Sequence, residues 1–110
     1  ENLDKLFCYD FRNDMPFNEY LFKSSCSKIF KKEFLINNNI YFDESLSRSE
    51  DELFMAEIVS SKPSTTFINN TLYYYYCNNK SASRSYSDKY IHNAELFDKT
   101  YKNKFKQKYY

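Results

Sequence analysis

The chain has 110 residues, a formal net charge of +1 and no glycine. This length suits one domain, and the nearly balanced charge argues against a partner that is a nucleic-acid polymer. Phosphate-cradling loops need glycine so that backbone N–H groups can approach the anion closely, so the chain can hold neither a Walker loop nor a dinucleotide-binding fingerprint.

The first sharp pattern begins at Ser24 and predicts a helix. Four residues recur there at helical spacing: Cys26, Ile29, Phe30 and Phe34. The helix should end in the asparagine run at 37–39, because asparagine adopts the left-handed conformation that glycine usually supplies. A short extended piece is expected at 40–42.

A second helix is predicted after Ser49. Ser49 and Glu52 have the spacing of a capping box, with Ser49 at the N-cap. Pro63 should close this helix. Its buried stripe is expected to comprise Leu53, Phe54 and Ile58.

The last third of the chain predicts two short strands and a long helix. Residues 65–68 and 72–77 are rich in β-formers and are joined by two asparagines, which indicates strands. An amphipathic basic helix is expected over residues 87–110. Its apolar stripe would be Tyr90, Ala94, Phe97, Tyr101 and Phe105. The expected architecture is therefore mainly helical with a few short strands.

Four sequence blocks occur in an order that is typical of one enzyme family. They are SKIFKKEFL at 27–35, NNIYF at 38–42, EDELF at 50–54, and LYYYY at 72–76 followed by SASR at 81–84. In this order and spacing they resemble bacterial family-two glycosyltransferases of surface polysaccharide assembly. The resemblance covers residues 25 to 84, and the rest of the chain contributes only composition.

The resemblance implies an α/β fragment, the C-terminal portion of a GT-A nucleotide-diphospho-sugar transferase fold. Such enzymes carry an Asp-x-Asp metal motif in an N-terminal nucleotide-binding half, and this sequence has no Asp-x-Asp. Residues 1–110 are therefore interpreted as a single partial domain on the acceptor side, inactive alone. No cofactor is expected in this chain, while Mg²⁺ or Mn²⁺ and most contacts with the nucleotide-sugar donor are expected in the other half.

The EDELF block supplies the expected catalytic residues. In the family that it resembles, the Asp of this pair removes the proton from the acceptor hydroxyl, and that residue is Asp51 here. Glu50 would orient this base or contact the acceptor. The first turn of a helix favours an ionised carboxylate, the form that accepts a proton. The alternative is that both acids only stabilise the start of the helix.

Three further residues are expected to bind substrate. Lys28 would face the donor diphosphate or the acceptor, although a lysine on an amphipathic helix is more often simply solvated. Ser83 and Arg84 follow a predicted strand in a polar loop, where functional residues concentrate, and the arginine fork suits phosphate. The alternative is a surface turn.

Tyrosines and lysines leave two more interpretations open. Tyr73 to Tyr76 would put two rings on each face of a strand, with core packing favoured over stacking on a sugar. His92 is expected at the surface. The last twelve residues contain five lysines and no acid, which suits either a solvated helix or peripheral contact with an anionic membrane.

The expected acceptor is a glycan or a lipid-linked sugar, and the expected location is the cytoplasm, including the inner face of the membrane. Three widely spaced cysteines without a C-x-x-C pair argue against a disulfide framework and against a zinc site. They favour reduced thiols in the cytoplasm. A non-catalytic helical interaction module and a membrane-surface adaptor are the alternative functions.

Overall fold

The computed structural model describes residues 23–66, 68, 70–74, 76, 80 and 88–105. These residues form three helices: α1 spans Lys32–Asn37, α2 spans Glu50–Ser60 and α3 spans Tyr90–Phe105. The mainly helical architecture is confirmed. The described part of the chain contains no strand, so the expected short strands are wrong there and no GT-A sheet is present in it.

The two segments expected to be strands lack what a strand needs. Ile68 is 63% exposed, Leu72 70% and Tyr74 87%. High β-propensity describes a side chain that fits a half-buried pleated surface, and an isolated hairpin is marginal in water. Since these side chains face solvent and no neighbouring strand lies among the described residues, their backbone forms no ladder.

Helix α1 begins later than the apolar spacing predicts. Ser27 has a φ of 60°, in the left-handed region, which interrupts a right-handed helix. The Cys26 N–H donates to Ser24 Oγ at 3.1 Å, and Lys28 Nζ donates to the backbone carbonyls of Ser24 and Cys26 at 2.5 and 3.2 Å. Such side-chain bonds compete with the helical ones, so this segment is a turn. Ile29, one of the four residues at helical spacing, is 90% exposed.

The end of α1 confirms the expected role of the asparagine run. Asn39 has a φ of 53°. Its N–H donates to the carbonyl of Ile36 at 3.1 Å, and the N–H of Ile40 donates to that of Leu35 at 2.9 Å. These two bonds make a Schellman motif in which asparagine takes the position usually held by glycine. Ile40 then enters the core, where it is 3% exposed.

The start of α2 lies where the sequence predicts, without the expected capping box. Ser49 is the N-cap, but its φ is 62° and its side chain makes no capping hydrogen bond. A capping side chain usually requires an extended N-cap backbone, and the left-handed conformation of Ser49 departs from it. Instead, Asp51 Oδ1 accepts the N–H of Glu52 at 2.9 Å.

Helix α2 is the centre of the core. Phe54 stacks on Phe42 with ring centroids 4.1 Å apart and meets Phe30 edge-on at 5.5 Å. The three predicted stripe residues are all buried. Three more are buried beyond the prediction, because other segments pack around most of the helix: Met55, Ala56 and Val59.

Helix α3 packs against this core with its C-terminal half. Leu96, Phe97 and Tyr101 lie against the cluster and Phe105 is 6% exposed, as the predicted stripe requires. Tyr90 and Ala94 are exposed, so the stripe is wrong in the first turns, where Asn93 is buried instead. The last residues of the predicted helix, 106–110, lie outside the described residues.

One ion pair joins the two long helices, since Lys104 Nζ lies 2.6 Å from Glu57 Oε1. Among the described helices, none combines the length and apolar character that crossing a bilayer requires.

Candidate functional site

Asp51 lies in the first turn of α2 beside Glu50 and Glu52. All three side chains are half-buried. Glu52 forms an ion pair with Lys23, whose Nζ lies 3.1 Å from Glu52 Oε1. Lys23 itself is buried. Asp51 and Glu50 are therefore the acids of this turn that lie outside that ion pair.

Asp51 interacts electrostatically with Lys28 and Cys26. Burial lowers the pKa of the Lys28 ammonium, while the negative charges of Cys26 and Asp51 oppose this shift. The same Asp51 charge acts on the Cys26 thiol, whose pKa it raises. The ion pair between Lys23 and Glu52 places the residue just before the turn at 24–28 beside the first turn of α2.

Tyr73 belongs to the same group of side chains. Hydrogen bonds from Ser24 and then from Tyr73 lower the pKa of the Cys26 thiol; partial burial and Asp51 oppose this, and Lys28 supports it. We call Ser24, Cys26, Lys28, Asp51 and Tyr73 the Asp51 cluster. It joins the turn before α1, the N-terminus of α2 and the tyrosine-rich segment.

Lys28 is positioned by the backbone of this turn. Its ammonium donates to the carbonyls of Ser24 and Cys26, and the side chain is half-buried. The alternative of a freely solvated lysine on a helix face does not hold, because Lys28 precedes α1 and its ammonium is held by carbonyls. These two bonds hold its positive charge in the turn at 24–28.

The remaining expected site residues are distributed differently. Ser83 and Arg84 lie outside the described residues. Tyr74 is 87% exposed and Tyr76 90%, so the face that they would share does not pack in the core; on the other face Tyr73 is 48% exposed and Tyr75 lies outside the described residues. His92 is exposed on α3, as expected.

Asn93 is the residue that sequence reasoning missed. It is 8% exposed. Its Oδ1 accepts three hydrogen bonds, from the Ser47 N–H at 2.7 Å, the Ser47 hydroxyl at 2.9 Å and the Arg48 N–H at 3.3 Å. Its Nδ2 donates to the Arg48 carbonyl at 3.1 Å. The available signal was its position three and four residues before Leu96 and Phe97, on the buried side of α3.

The divalent ion that the resemblance implies does not fit the described residues. They contain no group of three or more His, Cys, Asp or Glu side chains arranged to hold a metal. No reaction step is therefore assigned to a metal held by this part of the chain.

Comparisons of the chain with protein-family models, curated proteins and solved structures gave no match. Support for a function comes instead from the order of the four sequence blocks and from the geometry of the Asp51 cluster.

Proposed function

We propose that this chain is the acceptor-side portion of an inverting glycosyltransferase in which Asp51 is the catalytic base. The observation that carries the proposal is the Asp51 cluster: a half-buried carboxylate at a helix N-terminus beside a half-buried ammonium and a tyrosine. A carboxylate, a fixed cation and an aromatic ring are groups that suit a sugar hydroxyl and a phosphate-bearing substrate.

The proposed reaction is an in-line displacement at the anomeric carbon of the donor. The acceptor oxygen forms the new bond to that carbon while the bond to the nucleoside diphosphate breaks. Asp51 takes the proton of the acceptor hydroxyl, and the diphosphate leaves with the electron pair of the broken bond. General-base assistance of this kind contributes about 10²–10⁴-fold. Glu50 orients the base or the acceptor.

Lys28 supplies a positive charge that two backbone carbonyls hold in place. Its proposed role is to bind a phosphate of the donor or an anionic group of the acceptor, an attraction that its partial burial strengthens relative to bulk water. Ser83 and Arg84 are proposed to complete phosphate recognition, because arginine presents a planar fork of donors.

The proposal extends to the rest of the enzyme. A GT-A nucleotide-binding half with an Asp-x-Asp motif would hold the nucleotide sugar together with Mg²⁺ or Mn²⁺. The acceptor would be a growing surface glycan or a lipid-linked sugar, handled in the cytoplasm at the inner face of the membrane. Lys99 is exposed on α3 and would favour contact with anionic lipid headgroups, whereas Lys102 and Lys104 of the same helix pair with Asp98 and Glu57.

The test is Asp51→Asn in the full-length protein. The substituted side chain keeps an oxygen that can accept the Glu52 N–H, so the helix start is preserved while the base is lost. With UDP-, GDP- and dTDP-sugars as donors and alkyl glycosides as acceptors, we expect kcat to fall by about 10²–10⁴-fold.

The matched control is Asp98→Asn, which removes an exposed carboxylate of α3 that pairs with Lys102. It should leave kcat within about twofold of wild type, since surface pairs contribute little. Near-normal turnover by Asp51→Asn would remove Asp51 from the role of base.

A non-catalytic interaction module is the second candidate, favoured by the exposed apolar side chains of the segment after α2. Leu72 is 70% exposed and Tyr76 90%, and exposed apolar patches often mark contact surfaces. Full-length wild-type protein that neither binds nor turns over any of these nucleotide sugars would favour the module over the enzyme.

A further inference from the structure

Asn93 connects α3 to the turn from which α2 begins. We propose that Asn93 is a positioning residue that fixes residues 47–49 and thereby sets the place of the Asp51 carboxylate. The part of this inference that concerns catalysis rests on the proposed function, whereas the part that concerns the turn does not. Asn93 lies 45 and 46 positions along the chain from its partners Arg48 and Ser47, so it is a tertiary tether and not a local cap.

The chemistry of the tether requires an amide. Two backbone N–H groups and one hydroxyl converge on Oδ1, and a backbone carbonyl faces Nδ2. Aspartate supplies the acceptor and lacks the donor, and leucine has a similar size but neither group. Asparagine thus satisfies the donors and the acceptor of this turn with one side chain.

The burial of Asn93 gives the tether its strength. The residue is 8% exposed, so water cannot readily replace a lost partner. Replacing the amide by an apolar side chain would remove the acceptor shared by the N–H groups of Ser47 and Arg48 and the donor to the Arg48 carbonyl.

The N-terminus of α2 depends on this tether because its cap is weak. Ser49 adopts a left-handed backbone and makes no capping bond, so it does not fix the direction in which the helix starts. A second hold from the same helix α3 is the ring of Tyr90, which lies 5.1 Å from the guanidinium carbon of Arg48. Both the Asn93 hydrogen bonds and the Tyr90 ring act on Arg48, three residues before Asp51.

In the proposed reaction, loss of the tether would misalign the Asp51 carboxylate with the acceptor hydroxyl. Asp51 follows the tethered turn directly, and a misplacement of about 1 Å at a reacting group can cost around 100-fold in rate. Because Asn93 does not belong to the Asp51 cluster, its replacement should lower kcat with little change in the KM for the donor.

The experiment compares Asn93→Leu, Asn93→Asp and the matched control Asn103→Leu, an exposed asparagine of the same helix. Amide hydrogen exchange is measured for residues 47–52, and kcat and KM are measured in the full-length protein. In Asn93→Leu we expect exchange at Ser47 and Arg48 to accelerate by about tenfold or more, because hydrogen bonds worth about 1 kcal/mol each are lost. We expect kcat to fall about 10- to 100-fold.

Asn93→Asp keeps the acceptor, so its exchange rates and its kcat should lie between those of Asn93→Leu and wild type. It also provides the test if Asn93→Leu fails to fold. Asn103→Leu should change neither readout. Unchanged exchange over 47–52 in both Asn93 variants would overturn the tether, and accelerated exchange with unchanged kcat would overturn its role in positioning Asp51. If the wild-type enzyme transfers no sugar, the proposed function fails, and the exchange data still decide the tether.

Discussion

Helix α2 and the segment that follows it, residues 62–76, are both rich in apolar side chains, but they differ in burial where the segment is described. In α2 Leu53 is 1% exposed, whereas Leu72 in the segment is 70% exposed. Other elements surround α2, with aromatic rings on two sides and α3 against it. Apolar composition therefore yields a core element only where a second element covers it, since burial supplies the stabilising free energy.

The difference in burial between the two regions is tested most directly by truncating one leucine in each. Leu53→Ala should lower the free energy of unfolding by about 2–5 kcal/mol, because it removes buried methyl groups and leaves a cavity. Leu72→Ala should change it by less than about 0.5 kcal/mol, as is usual for exposed positions. Urea denaturation followed by circular dichroism measures both, and equal costs for the two substitutions would contradict the difference in packing.

At the junction between the two regions, a substitution should have a smaller effect of opposite sign on the free energy of unfolding. Lys62 lies just after α2 with a φ of 52° and is followed by Pro63, which cannot donate the second bond of a Schellman motif. Lys62→Gly should raise the free energy of unfolding by about 0.5–1 kcal/mol, because glycine removes the left-handed penalty and loses part of that gain to unfolded-state entropy. The same urea denaturation measures the change.

Lys31→Gly is the control for that substitution, since Lys31 has a φ of −69°. It should give no stabilisation, because glycine relieves no strain there. A gain of similar size in both variants would show that the left-handed backbone of Lys62 is not its source.

The smallest effect is expected where the segment touches the site, at Tyr73. Tyr73→Phe removes one of the hydrogen bonds that lower the pKa of the Cys26 thiol, so that pKa should rise. The pH profile of iodoacetamide alkylation measures it in protein whose Cys8 and Cys77 are replaced by serine. Tyr74→Phe, at an 87% exposed position, is the control and should leave the profile unchanged.

The same shift has a defined sign in stability. A thiol whose folded-state pKa is lowered contributes stability that is present above its unfolded pKa and is lost as pH falls through the folded pKa. Tyr73→Phe should bring the folded-state pKa of the Cys26 thiol closer to its unfolded value. The rise in the free energy of unfolding with pH should therefore begin at a higher pH in the variant than in wild type. A profile identical to that of wild type would mean that Tyr73 does not act on Cys26.

The candidate site was partly predictable. The first-turn position of Asp51 and Glu50 follows from their place after Ser49, and the structure agrees. The position of Lys28 was not predicted, because a left-handed Ser27 interrupts the expected helix and leaves Lys28 in the turn before α1. Asn93 was not predicted, because no local pattern shows which polar residue a distant turn will use.

Local chemistry in the sequence determined where helices end: the asparagines after α1 and the proline after α2 act on backbone groups within a few residues. Tertiary structure alone decided which apolar side chains are covered, why residues 65–77 form no strands where described, and how Asn93 holds the start of α2. These outcomes depend on contacts between segments far apart in the chain, and burial and hydrogen-bond satisfaction exist only once those segments meet.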